Sequence, residues 1–263
     1  MANFNYYPDM KIKLLFFIGL ISIKSNCMNA QINQGIALYE ETKVVLTPEK
    51  RKQIEDQMPD PNIREMIFKK LEENSKSSMV LAFNQDISSY KISENQGSDP
   101  KVKSLGEGTG KSYFKDLSKK TYSSQADILG KPFLISDILK KIDWKLTGDG
   151  KKIGKMNCQK ATAVVGKYEV EAWFAIEIPV SSGPANYWGL PGLIIELKEK
   201  GGKTFTFKEF KEEIPTQGEL AIPTEGKKVS QKEYDEILAQ KTKELTGGTD
   251  ATGSGGVKIL KMN

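Results

Sequence analysis

Residues 189–194 read Gly189-Leu190-Pro191-Gly192-Leu193-Ile194 and lead into a stretch in which apolar and polar side chains alternate. Two glycines around a proline fix backbone geometry and supply no reactive group. Because a turn built on Pro191 readily places its successor at positive φ, we expect Gly192, and also Gly189, in that conformation. The hexapeptide therefore predicts a turn that sets the register of a strand over residues 193–197, where a slip of one residue would expose the apolar face.

The alternation on both sides of the hexapeptide is typical of antiparallel strands. Residues 166–167 and 201–202 read as short turns, and residues 148–150 read as a further one. Between the first of these turns and the hexapeptide, one face of a predicted strand carries Tyr168, Val170, Ala172, Phe174, Ile176 and Ile178. One apolar and one polar face per strand predicts an antiparallel sheet with one side open to water.

The rest of the chain supplies further strands and helices. Strands are predicted over residues 36–45 and 79–90, with a polar helix after Pro48 and an amphipathic helix from Pro61 to Asn74 between them. Residues 92–112 read as a surface loop. A capping box at Ser230 and Glu233 predicts a C-terminal helix, whose apolar stripe is Tyr234, Ile237, Leu238 and Leu245.

These elements predict an α+β fold, in which a strongly curved, half-barrel-like antiparallel sheet has a few helices packed on it. The outline is similar to that of envelope lipoprotein carriers of the LolA and LppX type, as an analogy of architecture alone. The inner face is expected to carry Phe174, Ile176, Ile195, Phe205 and Phe207. They could enclose an apolar ligand or form a filled core, and we favour the core because apolar alternation does not by itself indicate a cavity.

The N-terminal residues predict an exported protein. Lys11 and Lys13 precede ten uncharged residues, 14–23, and Ala30 ends a small-residue cleavage site. Residues 1–30 are therefore predicted to be a signal peptide, residues 31–245 a single domain and residues 246–263 a flexible tail. Lipid modification of Cys27 is the alternative. Because a bilayer span needs about 20 apolar residues, we expect no transmembrane insertion and a periplasmic, outer-membrane-associated or secreted protein.

The composition excludes several kinds of chemistry. The chain has no histidine, which excludes serine–histidine triads and histidine-ligated zinc. Phosphate-loop and calcium-loop motifs are absent as well, so we predict no metal and no cofactor. After removal of residues 1–30 the chain keeps 39 − 3 = 36 basic and 34 − 1 = 33 acidic residues. Among the basic residues only Arg51 and Arg64 are arginines. Nucleic-acid binding is therefore not expected, since phosphate and base recognition draw on arginine.

Single residues give weaker signals. Cys158 would be the one cysteine left after cleavage, and we predict a packed strand residue rather than a reactive thiol. Glu169 and Glu171 alternate with apolar neighbours, as solvated strand residues do. Glu177 lies among apolar residues next to the turn-rich segment and is predicted to tie that turn to backbone donors.

Short motifs around the hexapeptide carry a family resemblance. They are CQKAT at 158–162, AWF at 172–174, EIP at 177–179 and GP at 183–184. In this order they resemble the GLPGLI family, envelope proteins of Bacteroidetes-type bacteria, over residues 144–210. The resemblance implies an extracytoplasmic compartment and this architecture. Because the family has no assigned activity, it implies no catalytic residue.

Three functions from different classes remain open. The first is a non-catalytic envelope module that binds an outer-membrane receptor or transporter protein through residues 183–192, because aromatic residues among turns often anchor interfaces. Its candidate contacts are Tyr187, Trp188, Gly189, Leu190, Pro191, Gly192 and the neighbouring Glu177. The second is a carrier of a lipid or other apolar small molecule. The third, a carboxylate-dependent hydrolase, is disfavoured because no acid, base and nucleophile are gathered, and we expect no enzyme.

Overall fold

The computed structural model describes residues 32–73, 75–93 and 112–246. The predicted signal peptide, most of the loop predicted at 92–112 and nearly all of the predicted tail lie outside the described residues.

The described residues form a mostly β fold of twelve strands and three helices. The strands are β1 Gly35–Lys43, β2 Lys76–Phe83, β3 Ile87–Ile92, β4 Ser112–Asp116, β5 Thr121–Ile128, β6 Lys131–Ile138, β7 Lys145–Ile153, β8 Met156–Val165, β9 Tyr168–Ala175, β10 Leu193–Glu199, β11 Lys203–Lys211 and β12 Lys227–Val229. The helices are α1 Pro48–Gln57, α2 Pro61–Glu73 and α3 Gln231–Thr246. The antiparallel sheet with a few helices is confirmed, with more sheet than an α+β fold implies.

All of these strands belong to one open sheet in the order β12-β6-β5-β4-β3-β2-β1-β11-β10-β9-β8-β7. Neighbours are antiparallel except β12 and β6, which pair in parallel. β1 lies near the middle of this order because it pairs with β2 on one side and with β11 on the other. The first described strand thus pairs with β11, which comes much later in the chain.

Two turns were predicted correctly. β8 and β9 are joined at residues 166–167, with Gly166 at φ +59°, and β10 and β11 are joined through Gly201 at φ +73°. Glycine suits both places because it adopts positive φ without steric cost. The capping box is also confirmed, since the Glu233 carboxylate accepts from the Ser230 amide at 2.7 Å and the Ser230 hydroxyl accepts from the Glu233 amide at 3.2 Å.

Other boundaries differ from the prediction. Residues 79–90 are not one strand but parts of β2 and β3, because the Asn84 side chain accepts from the amides of Asp86 and Ile87 and closes a turn. Residues 148–150 lie inside β7, where Gly148 at φ +83° coincides with an irregularity in the pairing with β8. The turn between β7 and β8 is at Gly154 and Lys155 instead.

The main core is formed by residues of β1, β2, β3, β8, β9, β10 and β11. Phe174, Ile195 and Phe205 are buried in it as predicted, and Phe207 packs against it partly buried. Ile176 is wrong as an inner-face residue, because β9 ends at Ala175 and the Ile176 side chain is 49% exposed in the following turn. The chain bends away from strand geometry there, and the period of two stops with it.

The C-terminal helix covers a second, smaller cluster. α3 packs on β6 and β12 through Tyr234, whose ring meets Phe133 edge to face with centroids 5.7 Å apart. The prediction that helices pack on the sheet is confirmed for this edge. None of the helices in the described ranges is long and apolar enough to cross a membrane.

Candidate functional site

The segment between β9 and β10, residues 176–192, packs against strands far from its own in the sheet order. The Ser182 and Ser88 hydroxyls lie 2.7 Å apart, which joins the segment to β3. Both side chains are buried. Residues 176–192 are therefore part of the main core, to which they contribute Ile178, Val180, Ala185, Tyr187 and Leu190.

Lys115 on β4 holds this segment by its charged end. Its side chain is fully buried, and its Nζ lies 2.5, 2.8 and 3.1 Å from the carbonyl oxygens of Gly183, Ala185 and Tyr187. Burial lowers the pKa of Lys115 to about 7, because the charged form is costly away from water. Sequence reasoning missed this residue. A lysine in a short polar strand carries no signal that it will be buried.

Tyr187 anchors the same segment on the other side. Its hydroxyl donates to the Glu199 carboxylate at 2.7 Å, and its ring packs edge to face on Phe205. The second oxygen of Glu199 accepts from the Lys203 amide at 2.8 Å. Lys203 also pairs with the buried Glu41 at 2.7 Å. These buried carboxylates are held by donors from the protein itself.

Trp188 joins the segment to the connection between β6 and β7. The Trp188 indole donates to the Lys140 carbonyl at 2.9 Å, and the Trp144 indole donates to the Trp188 carbonyl at 2.8 Å. The Trp188 side chain is half-buried. Because both its indole and its carbonyl are paired within the protein, Trp188 has the contacts of a structural residue.

The two glycines of the hexapeptide are needed for different reasons. Gly189 has φ +96°, as predicted. Gly192 does not have positive φ, so that prediction was wrong. It is glycine because a Cβ there would overlap the carbonyl oxygen of Ala175 and lie 3.2 Å from Cδ2 of Phe174. The start of β10 passes so close to the end of β9 that no side chain fits between them.

The remaining predicted contacts divide between surface and core. Leu190 is buried and Pro191 is exposed. The exposed Glu177 accepts from both the backbone and the side-chain amide of Asn157, so it ties the turn after β9 to β8 as predicted. Cys158 is a buried free cysteine, and burial, with Glu177 and Glu196 nearby, raises its pKa to about 11. The prediction of a packed strand residue is confirmed.

A cleft of about 540 Å³ lies beside the segment. Strands from opposite ends of the sheet order line it, together with the β6–β7 connection and the start of α3; among them are Tyr113, Tyr122, Gln125, Ile135, Asp137, Ile138, Val164, Val165, Gln231 and Tyr234. From residues 183–192 only Asn186, which is exposed, is part of the lining. Ile138 and Val164 are 63% and 73% exposed, which is high for large apolar side chains.

Polar groups of the cleft are arranged in a short chain. The Tyr122 hydroxyl donates to the side-chain oxygen of Gln231 at 2.6 Å, and the backbone N–H of Gln231 donates to the Asp137 carboxylate at 3.1 Å. Burial and the nearby Asp137 raise the pKa of Tyr122, so its hydroxyl stays protonated at neutral pH. The cleft therefore offers apolar contacts and hydrogen bonds. Within the described ranges, no three Cys, Asp or Glu side chains are gathered so that they could hold a metal ion.

Comparison with known proteins gives likeness of fold and a short sequence match. A family described as a protein of unknown function (Porph_ging) matches residues 164–196, which include the hexapeptide. No curated protein matches the chain. Two structures of PNGF-II, in the C2 and P21 space groups, are similar, with TM-scores of 0.51 and 0.52 and sequence identities of 14% and 16%. The similarity covers 79% of this chain but only 33% and 34% of PNGF-II, so this chain corresponds to about a third of that protein.

Proposed function

We propose that the protein is a non-catalytic binding module of the bacterial cell envelope, and that a partner protein of the outer membrane binds at the cleft beside residues 183–188. The observation that carries the proposal is the pair of exposed apolar side chains in the cleft lining, Ile138 and Val164. Apolar side chains exposed at a concave site favour binding because a partner can remove them from water.

The cleft also supports the curved, half-barrel form of the sheet. Seven strands lie between β5 and β8 in the sheet order, and eight lie between β6 and β8, yet residues of all three strands line the same cleft. A flat sheet would hold them roughly 30 Å or more apart, since neighbouring strands are about 4.8 Å apart. Curvature that brings the two ends of the sheet towards each other accounts for the cleft.

A carrier of an apolar ligand is the second candidate, and the packing of the inner face supports it less. Phe174, Ile195 and Phe205 are at most 1% exposed, in one core with Tyr187 and Leu190. The space that a lipid would need is filled by residues 176–192 of the chain itself. A carboxylate-dependent hydrolase is supported less again, because the two buried carboxylates have partners within the protein. Glu41 pairs with the Lys203 ammonium group, and Glu199 accepts from the Lys203 backbone amide and the Tyr187 hydroxyl.

The proposal includes an extracytoplasmic location and the resemblance to the GLPGLI family. The sequence match at 164–196 contains the hexapeptide on which the GLPGLI resemblance depends, and the N-terminal pattern is that of a signal peptide. Export predicts a mature N-terminus at Gln31. N-terminal sequencing of envelope material tests it, and an intact Met1 or a lipid-modified Cys27 would contradict a soluble exported module.

Site-specific photocrosslinking in the producing cells tests the binding site. A photoreactive residue replaces Val164 or Ile138 in the cleft, and Ile214, which is 77% exposed and is not part of the cleft lining, serves as the control. We expect one envelope protein to be captured from the two cleft positions and not from Ile214. Equal capture at all three positions, or none from the cleft, would contradict the proposal. Capture of a lipid would favour the carrier.

A further inference from the structure

The turn over residues 183–187 is strained and is held from inside the protein. Ala185 has φ +48°, which residues other than glycine adopt rarely. Gly183 is constrained by space and not by its backbone angles, because a Cβ there would lie 2.6 Å from Cβ of Ile194. Backbone strain such as that at Ala185 persists only where surrounding contacts determine the conformation, and it is frequent at binding sites. The Lys115 ammonium group reaches the backbone of this turn from β4, while Glu199 on β10 binds the Tyr187 side chain.

We infer that Lys115 is a positioning residue for the cleft, whose ammonium group holds the turn so that Asn186 is presented to the bound partner. The acceptors are the carbonyls of Gly183, Ala185 and Tyr187, every second residue of the turn. These three residues are buried, whereas Asn186 between them is exposed in the cleft. Lys115 thus fixes one side of the turn while the other side forms part of the binding surface.

The charge of Lys115 matters here more than its volume. An ammonium group has three N–H donors and no acceptor, which matches three carbonyl oxygens within hydrogen-bond distance. A neutral amine would leave one of them without a donor. Burial works against the charge, so an apolar residue of similar length would be the easier choice if filling space were the only requirement.

Lys115→Met, which keeps the length and removes the donors, tests this inference. The matched control is Ser88→Ala, which removes the buried bond from β3 to Ser182 in the same segment. Hydrogen exchange is followed at the Tyr187 amide, which donates to Pro184, and at β1 and β2 amides as a reference. In Lys115→Met we expect the Tyr187 amide to exchange about tenfold faster or more relative to β1, because several hydrogen bonds of the turn are lost together. Ser88→Ala should change it less.

The inference rests on the proposed function only for the binding readout. With the photoreactive residue at Val164, Lys115→Met should lose partner capture while Ser88→Ala keeps it. If wild type captures no partner, the proposed function fails and the exchange result still decides the role of Lys115 in the turn. Unchanged exchange at Tyr187, an equal increase at β1, or full capture by Lys115→Met would overturn the inference.

If the Lys115→Met protein does not fold, an NMR experiment on the wild-type protein tests the inference. Protein labelled with ¹⁵N at lysine should show one slowly exchanging ammonium signal at pH 6, because a buried NH₃⁺ bonded to three carbonyls is protected from water. Absence of such a signal in folded protein would show that Lys115 does not hold the turn as an ammonium group.

Discussion

Replacing Gly192 by alanine should destabilise the protein through a steric clash rather than through backbone strain. The added Cβ would overlap the Ala175 carbonyl oxygen, and that carbonyl belongs to the end of β9. Since a backbone atom cannot rotate away as a flexible side chain can, β10 must move. The movement would also disturb the Leu193 amide, which donates to the Ile178 carbonyl at 2.9 Å.

The size of the effect follows from these contacts. Overpacking in a well-packed core costs about 1–3 kcal/mol, and a weakened backbone hydrogen bond adds about 1 kcal/mol. Because alanine leaves the unfolded chain less conformational freedom than glycine does, the substitution also stabilises the folded state by about 0.4–1 kcal/mol. We therefore expect the free energy of unfolding to fall by about 2 kcal/mol, which lowers Tm by roughly 4–8 °C for a domain of this size.

Gly148→Ala is the matched control, because it separates strain from overlap. Gly148 has φ +83°, and a Cβ added there would meet no atom within 4 Å. The left-handed conformation costs alanine about 1–2 kcal/mol, of which the effect on the unfolded chain offsets about 0.4–1 kcal/mol. Urea unfolding of both variants measures the difference. A Gly192→Ala protein no less stable than Gly148→Ala would refute the argument from close approach.

Three further results are expected. Tyr39→Phe should lower the free energy of unfolding by about 1–2 kcal/mol in urea titration, since the buried hydroxyl donates to the Ile194 carbonyl at 2.6 Å; an unchanged midpoint would contradict it. Cys158 should react slowly with thiol reagents at pH 8 in the native state and quickly in denaturant. Because burial raises its pKa from 9.0, the ordinary value for a thiol, to about 11, the stability that the neutral thiol contributes should be lost as pH rises from 9 to 11. The Cys158→Ala protein should lack that part of the pH dependence. Ser230→Ala should weaken α3 by about 1 kcal/mol, seen as faster amide exchange confined to that helix, and unchanged protection there would show that the cap is dispensable.

The elements that were predicted correctly from the sequence are those determined by residues close together in the chain. The turns at Gly166 and Gly201 and the capping box at Ser230 each depend on residues within four positions of one another, so their signals are contained in a short window. β4, β5 and β6 were missed for the opposite reason. β4 and β5 carry several Ser, Lys and Asp residues among their apolar ones, and all three strands depend for their pairing on one another and on β3.

The candidate site was predicted only in part, because its geometry is set by distant residues. The importance of the hexapeptide followed from its glycines, but the clash that fixes Gly192 comes from Ala175 on another strand. Lys115 is buried because carbonyls about seventy positions later in the chain replace its water. The cleft is lined by residues of β5, β6 and β8, which are far apart in the sheet order, and no local pattern shows that they share a site.

The pairing of β1 with β11 sets the order in which this chain can complete its fold. Ile36 lies opposite Lys211, 211 − 36 = 175 residues later, so the centre of the sheet cannot close until β11 is available. Contacts between such distant residues slow folding because a long loop must be ordered before they form. A chain emerging from its N-terminus therefore has β1 paired on one side only for most of its synthesis. If the protein is exported as proposed, that delay favours passage through a membrane channel as an unfolded chain, with folding completed on the far side.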